Sequence, residues 1–199
     1  AGVSGNMRPM EAVRPRVSYS DLERAPEDGR RYELYDGAMF VVPSPLVMHQ
    51  RATRELLLAL NDYSGAHGGE VLISPIDIVF TEYDVLQPDL VFFHQARVSL
   101  IAPDRPIRVP PDLAVEVLSP STAATDRGKK MQVFARFGVQ EYWIVDPKAQ
   151  TMEVYKLESD AFILRQLAGV TDVLGSPTLE GFECRVARIF PSGTSTESP

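Results

Sequence analysis

A single carboxylate inside an otherwise apolar segment limits what this chain can fold into. Residues 111–118 read PDLAVEVL, and Glu116 interrupts a run that is typical of a strand buried on both faces. Burying an isolated carboxylate costs several kcal/mol unless it is paired, hydrogen-bonded or bound to a metal. The fold must therefore bring a partner to Glu116 from elsewhere in the sequence.

Composition and charge leave several functions open but exclude others. The chain has 199 residues, 44% of them hydrophobic, which is enough for one substantial core. No apolar run approaches the roughly 18 residues of a membrane span, so we expect no membrane segment. The net charge of −7 argues against a strongly electrostatic nucleic-acid binder. It is compatible with a carboxylate site for a divalent cation, because such a site is acidic until the metal arrives.

The single cysteine and the two ends of the chain give expectations about location and domain limits. Cys184 cannot form an intramolecular disulfide, and three histidines far apart in sequence do not suggest zinc, so we expect a cytoplasmic protein. The start, AGVSGNMRPM, lacks the apolar core of a signal peptide and resembles in part an expression scar. We expect an N-terminal tail over 1–14, a single domain over 15–190 and a flexible C-terminal tail over 191–199.

Periodicity and turn signals predict an α/β (α+β) domain, with a central mixed sheet flanked by helices. Ser20 is the expected N-cap of a first short helix, and the Asp36-Gly37 pair indicates a hairpin. Further helices are predicted over 47–63 and 125–137. The remaining strands are predicted over 71–73, 77–80, 90–93, 112–118, 141–145, 151–157 and 162–166.

Asp89 is the first candidate partner for Glu116. It follows Pro88 and begins the apolar strand LVFF, whereas Glu116 lies near the end of the next predicted strand. If the two strands pair antiparallel, both carboxylates lie within reach of one ion. Such oxygen ligands suit Mg²⁺ or Mn²⁺, and the backbone carbonyl of Val117 could add another. Alternatively, Asp89 caps the start of its strand.

Lys130 is the second candidate partner, and helical phase selects it. Lys130, Val133, Phe134 and Phe137 stand at i, i+3, i+4 and i+7, so Lys130 shares the stripe that faces the sheet. Beside two carboxylates, its ammonium could hold the attacking water or stabilise charge on a phosphate. Two other roles stay open, because the lysine could reach solvent along its aliphatic stem or pair with Asp126.

The ordered set Pro88-Asp89, Glu116 and a nearby lysine resembles the PD-(D/E)XK nuclease superfamily. More closely, the segments PDLAVEVLSPST, DRGKK and FARFGVQEYWIVDP resemble the Uma-type family of restriction-endonuclease-like proteins. The resemblance implies a restriction-endonuclease-like core and a metal-dependent phosphodiesterase site with Asp89 and Glu116 as its acids. It also implies that Glu33, in YELYDG, lies near the site. Leu118 occupies the usual lysine position, so the lysine would come from the following helix, where Lys130 stands.

Four residues are accessory candidates. Without the resemblance, alternation in the first hairpin strand favours a solvated face for Glu33. His49 begins the buried stripe of its helix and could orient a water, contact a phosphate or be purely structural. Asp112 could support the site from outside or cap its strand, and Arg127 could assist Lys130.

These residues predict a divalent-metal-dependent endonuclease that hydrolyses phosphodiester bonds of nucleic acid, DNA being the expected substrate, with Mg²⁺ or Mn²⁺ as cofactor. A homodimer is the expected assembly. Two other hypotheses stay open. One is a binding or scaffold protein that keeps the fold without the chemistry, and the other is a metal-dependent hydrolase of another phosphate ester.

Overall fold

A six-stranded mixed sheet and a smaller four-stranded sheet organise residues 15–190, the part of the chain that the computed structural model describes. The two predicted tails, 1–14 and 191–199, lie outside the described residues. The helices are α1 Tyr19–Arg24, α2 Val47–His67, α3 Gln95–Val98, α4 Ala123–Thr125, α5 Met131–Arg136 and α6 Val186–Ile189, and a π-helical turn, Asp126–Lys130, joins α4 to α5. The strands are β1 Arg31–Tyr35, β2 Ala38–Val42, β3 Glu70–Ile73, β4 Ile78–Thr81, β5 Asp84–Leu86, β6 Leu90–Phe93, β7 Leu113–Val117, β8 Glu141–Asp146, β9 Thr151–Glu158, β10 Ala161–Gly169, β11 Val173–Gly175 and β12 Glu183–Arg185.

The large sheet has the strand order β10-β9-β8-β7-β6-β3 and the small sheet has the order β2-β1-β5-β4. Strands β7 and β8 are parallel, and their neighbours in the large sheet pair antiparallel. The helical segment 123–136 makes the crossover between β7 and β8, as a parallel pair requires. This topology confirms the predicted mixed sheet.

The central strands of the large sheet, β6, β7 and β8, are buried on both faces, which explains their near-continuous apolar sequence. On one face, Leu56 and Leu60 of α2 pack against a cluster that includes Val115 and Trp143. On the other face, Phe134 of α5 packs against a cluster that includes Ala114. Because side chains alternate along a strand, Glu116 shares the α5 face with Ala114.

Local sequence signals explain how the N-terminal elements begin and turn. The hairpin β1–β2 turns at Asp36 and Gly37, both with positive φ, as the Asp-Gly pair predicts. The first helix differs from the prediction, since its N-cap is Ser18 rather than Ser20. The Asp21 N–H donates to Ser18 Oγ, and the Ser18 N–H donates to the Asp21 carboxylate, which completes a capping box.

The other predicted helices and strands are present in place and type. The structure adds five short elements that the sequence does not predict, namely α3, α6, β5, β11 and β12. Within residues 15–190, none of the helices combines the length and the apolar character that a membrane crossing needs.

Candidate active site

Asp89 and Glu116 lie side by side because β6 and β7 pair antiparallel. The register places Leu90 opposite Val115, so the residue that precedes β6 lies beside the end of β7, as the sequence predicts. Asp89 Oδ2 accepts a hydrogen bond from the Val117 N–H at 2.8 Å. That bond ties the Asp89 carboxylate directly to the backbone next to Glu116.

The partner of Glu116 is Lys130. The Lys130 Nζ donates to Glu116 Oε1 at 2.8 Å, and both side chains are almost fully buried. The lysine comes from the crossover between β7 and β8, on the sheet face to which Glu116 points. Lys130 therefore does not extend to solvent, and its principal contact is not with Asp126.

Glu33 also belongs to this cluster. Its Oε1 lies 3.0 Å from Lys130 Nζ and accepts the Gln87 N–H at 2.9 Å, while its Oε2 accepts the Tyr35 hydroxyl at 2.8 Å. Glu33 is buried, so the expectation of a solvated face for this side of β1 is wrong. Alternation along β1 reports which residues share a face, but it does not report what covers that face.

Asp126 is the third carboxyl group near Lys130. Its Oδ1 lies 3.6 Å from Lys130 Nζ, and within residues 15–190 neither of its side-chain oxygens has a hydrogen-bond partner. The side chain is 1% exposed. Asp126 and Lys130 are the first and last residues of the π-helical turn, a feature that is frequent at functional sites.

The pKa values in this cluster are shifted for two reasons: the side chains are buried, and the carboxyl groups outnumber the single ammonium. Burial raises the pKa of Glu116 well above its ordinary value of 4.5; Lys130 opposes this rise, and neighbouring acids reinforce it. Burial also raises the pKa of Asp126. Burial opposes the charge of Lys130, but Glu116, Glu33 and Asp126 together hold its pKa well above 10.5. Lys130 therefore stays charged. Because three carboxyl groups surround this one ammonium, the cluster can accommodate a further positive charge.

His49 contacts Asp89 from a different element. It stands in the first turn of α2, and its Nε2 donates to Asp89 Oδ2 at 3.0 Å. The Thr53 hydroxyl lies 3.4 Å from His49 Nδ1. This contact makes His49 a residue that orients an acid of the site.

Asp112 and Arg127 have partners outside this cluster. Asp112 accepts the His94 N–H at 2.8 Å and an Arg97 N–H at 2.6 Å, which fixes the start of β7. Arg127 forms an ion pair with Glu153 on β9, with an N–H···O distance of 2.7 Å. These contacts support the strand-cap alternative for Asp112, and they tie Arg127 to β9 rather than to Lys130.

A cavity of about 30 Å³ opens at the cluster. Arg31 also lines the cavity, although the sequence does not single it out. The available signal is its spacing of two residues from Glu33 along β1, which puts both side chains on one face of the strand. The full lining is Arg31, Val42, Pro43, Ser44, Pro45, His49, Gln87, Asp89, Glu116, Val117, Ser119, Thr122, Asp126 and Lys130.

The oxygen donors at this cavity are compatible with a hard divalent cation. Asp89 Oδ1 and Glu116 Oε2 accept no hydrogen bond from the described residues, although their partner oxygens do. Within 15–190, no group of three or more His, Cys, Asp or Glu side chains is arranged as a metal site. A cation would thus have two carboxylates as its side-chain ligands, which suffices for Mg²⁺ because it usually keeps several waters.

Comparisons with known proteins bear on the family and the fold of the chain. A search of curated proteins found no match. A solved structure described as "a putative nuclease belonging to DUF820", from Anabaena variabilis, matches with a TM-score of 0.72 and 18% sequence identity, covering 87% of this chain and 97% of the other. At this identity, the match establishes the restriction-endonuclease-like fold only. The family model Uma2, described as "Putative restriction endonuclease", matches residues 18–187. The chain therefore belongs to the Uma2 family.

Proposed function

We propose that the protein is a divalent-metal-dependent nuclease that hydrolyses phosphodiester bonds of nucleic acid, with DNA as the substrate. One observation carries the proposal: Asp89, Glu116 and Lys130 come from three separate elements and line one cavity. A family description that names a restriction endonuclease supports the reaction class. Metal dependence, substrate and residue roles are our inference from the site.

Asp89 and Glu116 would hold the cation, Mg²⁺ or Mn²⁺. Each has one carboxylate oxygen that no described residue engages, and oxygen is the ligand that these ions prefer. The Val117 carbonyl would add a third oxygen, because in an extended strand it points to the same side as the Val117 N–H, which donates to Asp89. When bound, the cation supplies a Lewis acid and lowers the pKa of water in the site.

Lys130 would act through its positive charge rather than as a base. The three surrounding acids keep its pKa well above 10.5, so the ammonium persists at neutral pH. It can donate a hydrogen bond to the attacking water or to a phosphate oxygen that gains negative charge in the transition state. Its burial restricts the lysine to one position, which favours preorganised stabilisation.

Neighbouring residues would hold the side chains of Asp89 and Lys130 in position. His49 and the Val117 N–H both donate to Asp89 Oδ2, which leaves Oδ1 available on the same carboxylate. Glu33 holds Lys130 and is itself held by the Tyr35 hydroxyl and the Gln87 N–H. Such outer contacts fix ligand geometry in metal sites.

A homodimer and a cytoplasmic location remain predictions from the sequence. Cys184 is a free, buried cysteine in the described chain, which is compatible with a reducing compartment.

Cleavage assays test the proposal. With millimolar Mg²⁺ or Mn²⁺, the parent should cut DNA, whereas Asp89→Asn and Glu116→Gln should lose at least about a hundredfold in rate, as expected when a group central to the chemistry is removed. Asp104→Asn is the matched control, because this carboxylate is exposed and lies in a surface pair with Arg105; it should retain parental activity.

Substrate choice separates the proposal from its rivals. No cleavage of any DNA or RNA form with either metal would contradict it and favour a scaffold role. Faster turnover of a small phosphodiester than of a polynucleotide, with no dependence of binding on salt, would favour a different phosphate-ester hydrolase.

A further inference from the structure

We infer that Arg31 binds a phosphate group of the substrate at the candidate active site, an inference that rests on the function proposed above. Arg31 begins β1 and lies on the wall of the cavity that holds Asp89 and Glu116. The ligand is thus a phosphodiester group of the nucleic acid that enters this cavity.

Arg31 has N–H donors that no acceptor of the described residues engages. Its NH1 donates to Ser74 Oγ at 2.8 Å and its NH2 donates to the Pro43 carbonyl at 3.3 Å. A guanidinium has five N–H donors, so three have no acceptor among residues 15–190. Both acceptors are neutral, and within that range Arg31 forms no ion pair, since no carboxylate oxygen lies within 4.0 Å.

This lack of an acidic partner distinguishes Arg31 from the other basic residue of the cavity wall. Lys130 contacts three carboxyl groups, so its charge is already balanced by protein. Two arginines of the β7–β8 crossover also have acidic partners, Arg127 with Glu153 and Arg136 with Asp84, whereas Lys129 lies over the Phe40 ring. The charge of Arg31 therefore remains available to an incoming anion.

The position and chemistry of Arg31 match a phosphate ligand. Its two neutral contacts hold the guanidinium between the end of β2 and the loop after β3, at the cavity. A planar guanidinium with free N–H donors binds phosphate oxygens in bidentate fashion. The hydroxyl-bearing residues Ser119 and Thr122 line the same cavity and can add neutral donors. The cavity thus combines acids for a cation with a cationic group for the substrate anion.

Binding of a labelled DNA duplex, with Ca²⁺ replacing Mg²⁺ to suppress cleavage, tests the inference. Arg31→Gln should raise the Kd by about tenfold or more, because a charge-assisted bond to phosphate is lost. The slope of log Kd against log salt should fall by about one. Arg31→Lys should bind between the two, because it keeps the charge but loses the planar fork. Arg30→Gln is the matched control, since Arg30 is adjacent and exposed, and it should bind like the parent.

Two further readouts separate substrate binding from a structural role. The Mn²⁺ affinity of Arg31→Lys and its thermal midpoint should match those of the parent, even if Arg31→Gln folds poorly. DNA binding by both Arg31 variants with parental Kd and salt slope would overturn the inference while leaving the nuclease proposal intact. A parent that neither binds nor cuts nucleic acid would overturn both.

Discussion

Lys130 connects the acids of the candidate site at the scale of single residues. It contacts Glu116 at 2.8 Å, Glu33 at 3.0 Å and Asp126 at 3.6 Å. Removing one partner of a buried pair is costly, because the remaining charge is uncompensated. Since three acids share one ammonium, changing one acid should alter the lysine's position more than its protonation.

Glu33→Gln tests this positioning role. The amide keeps the size of Glu33 and an oxygen for the Gln87 N–H, but it loses the charge that faces Lys130. We expect kcat to fall roughly tenfold to a hundredfold, as for other outer-shell partners of metal sites, while Mn²⁺ affinity and Kd for DNA change little. Steady-state kinetics and binding titrations measure these quantities.

The control for this variant is Glu27→Gln, which removes a carboxylate from an exposed position. It should leave kcat unchanged. If Glu33→Gln retains the parental kcat, Glu33 does not position Lys130 for the reaction.

The residues of the site differ in how well the sequence predicts their surroundings. The apolar context of Glu116 and the antiparallel relation of its strand to Asp89 predict their proximity, which the structure confirms. Alternation alone predicts a solvated face for Glu33, which is wrong because the crossover carrying Lys130 covers it. The sequence does not single out Arg31, because nothing in a single sequence reveals that an arginine has only neutral partners.

The crossover between β7 and β8 shows how one helical irregularity shapes the site at the scale of elements. The α-helical spacing correctly predicts that Lys130, Val133 and Phe134 are all buried, because α5 begins at the residue after Lys130. The π-helical turn upstream could not be predicted, since apolar spacing does not reveal one additional residue per turn. Asp126, the first residue of this turn, and Lys130, the last, are both buried.

Gly128→Ala tests whether this turn depends on glycine. Nothing lies within 4 Å of where a Cβ would stand, and no positive φ is needed. We expect the free energy of unfolding to rise by about 0.4–1 kcal/mol, because alanine restricts the unfolded chain, with unchanged cleavage. Urea denaturation measures the change.

Gly69→Ala provides the contrasting variant. Its Cβ would stand 2.6 Å from the Phe92 ring at a φ of +102°, so this variant should be destabilised. A loss of stability in Gly128→Ala comparable to that in Gly69→Ala would mean that the π-helical turn requires glycine.

Short elements explain most of what the sequence did not predict in the fold. Strand β5 has three residues and follows a turn, so it is too short for alternation to be recognised. Strands β11 and β12 are equally short, and each has a single buried residue between exposed or partly exposed ends. The long, buried strands β6 to β8 were predicted because apolar character and turn residues mark them together.

At the scale of the whole molecule, sheet topology brings distant segments of an acidic chain to one cavity. The end of β7, the start of β6, the start of α2 and the crossover each contribute side chains. The net charge of −7 indicates that substrate binding depends on local cations, such as Arg31, rather than on the overall field. Because one fold can host different functions, the assignment of function rests on this cavity.

Calorimetric titration with Mn²⁺ tests the central claim, that Asp89 and Glu116 form a cation site. Because burial raises the pKa of Glu116, protons compete with the cation at lower pH, so affinity should be higher at about pH 8 than at about pH 6. Glu116→Gln should weaken binding by at least about tenfold and reduce the pH dependence, while the exposed control Asp104→Asn should bind like the parent. Equal Mn²⁺ affinity in Glu116→Gln and the parent would contradict the account.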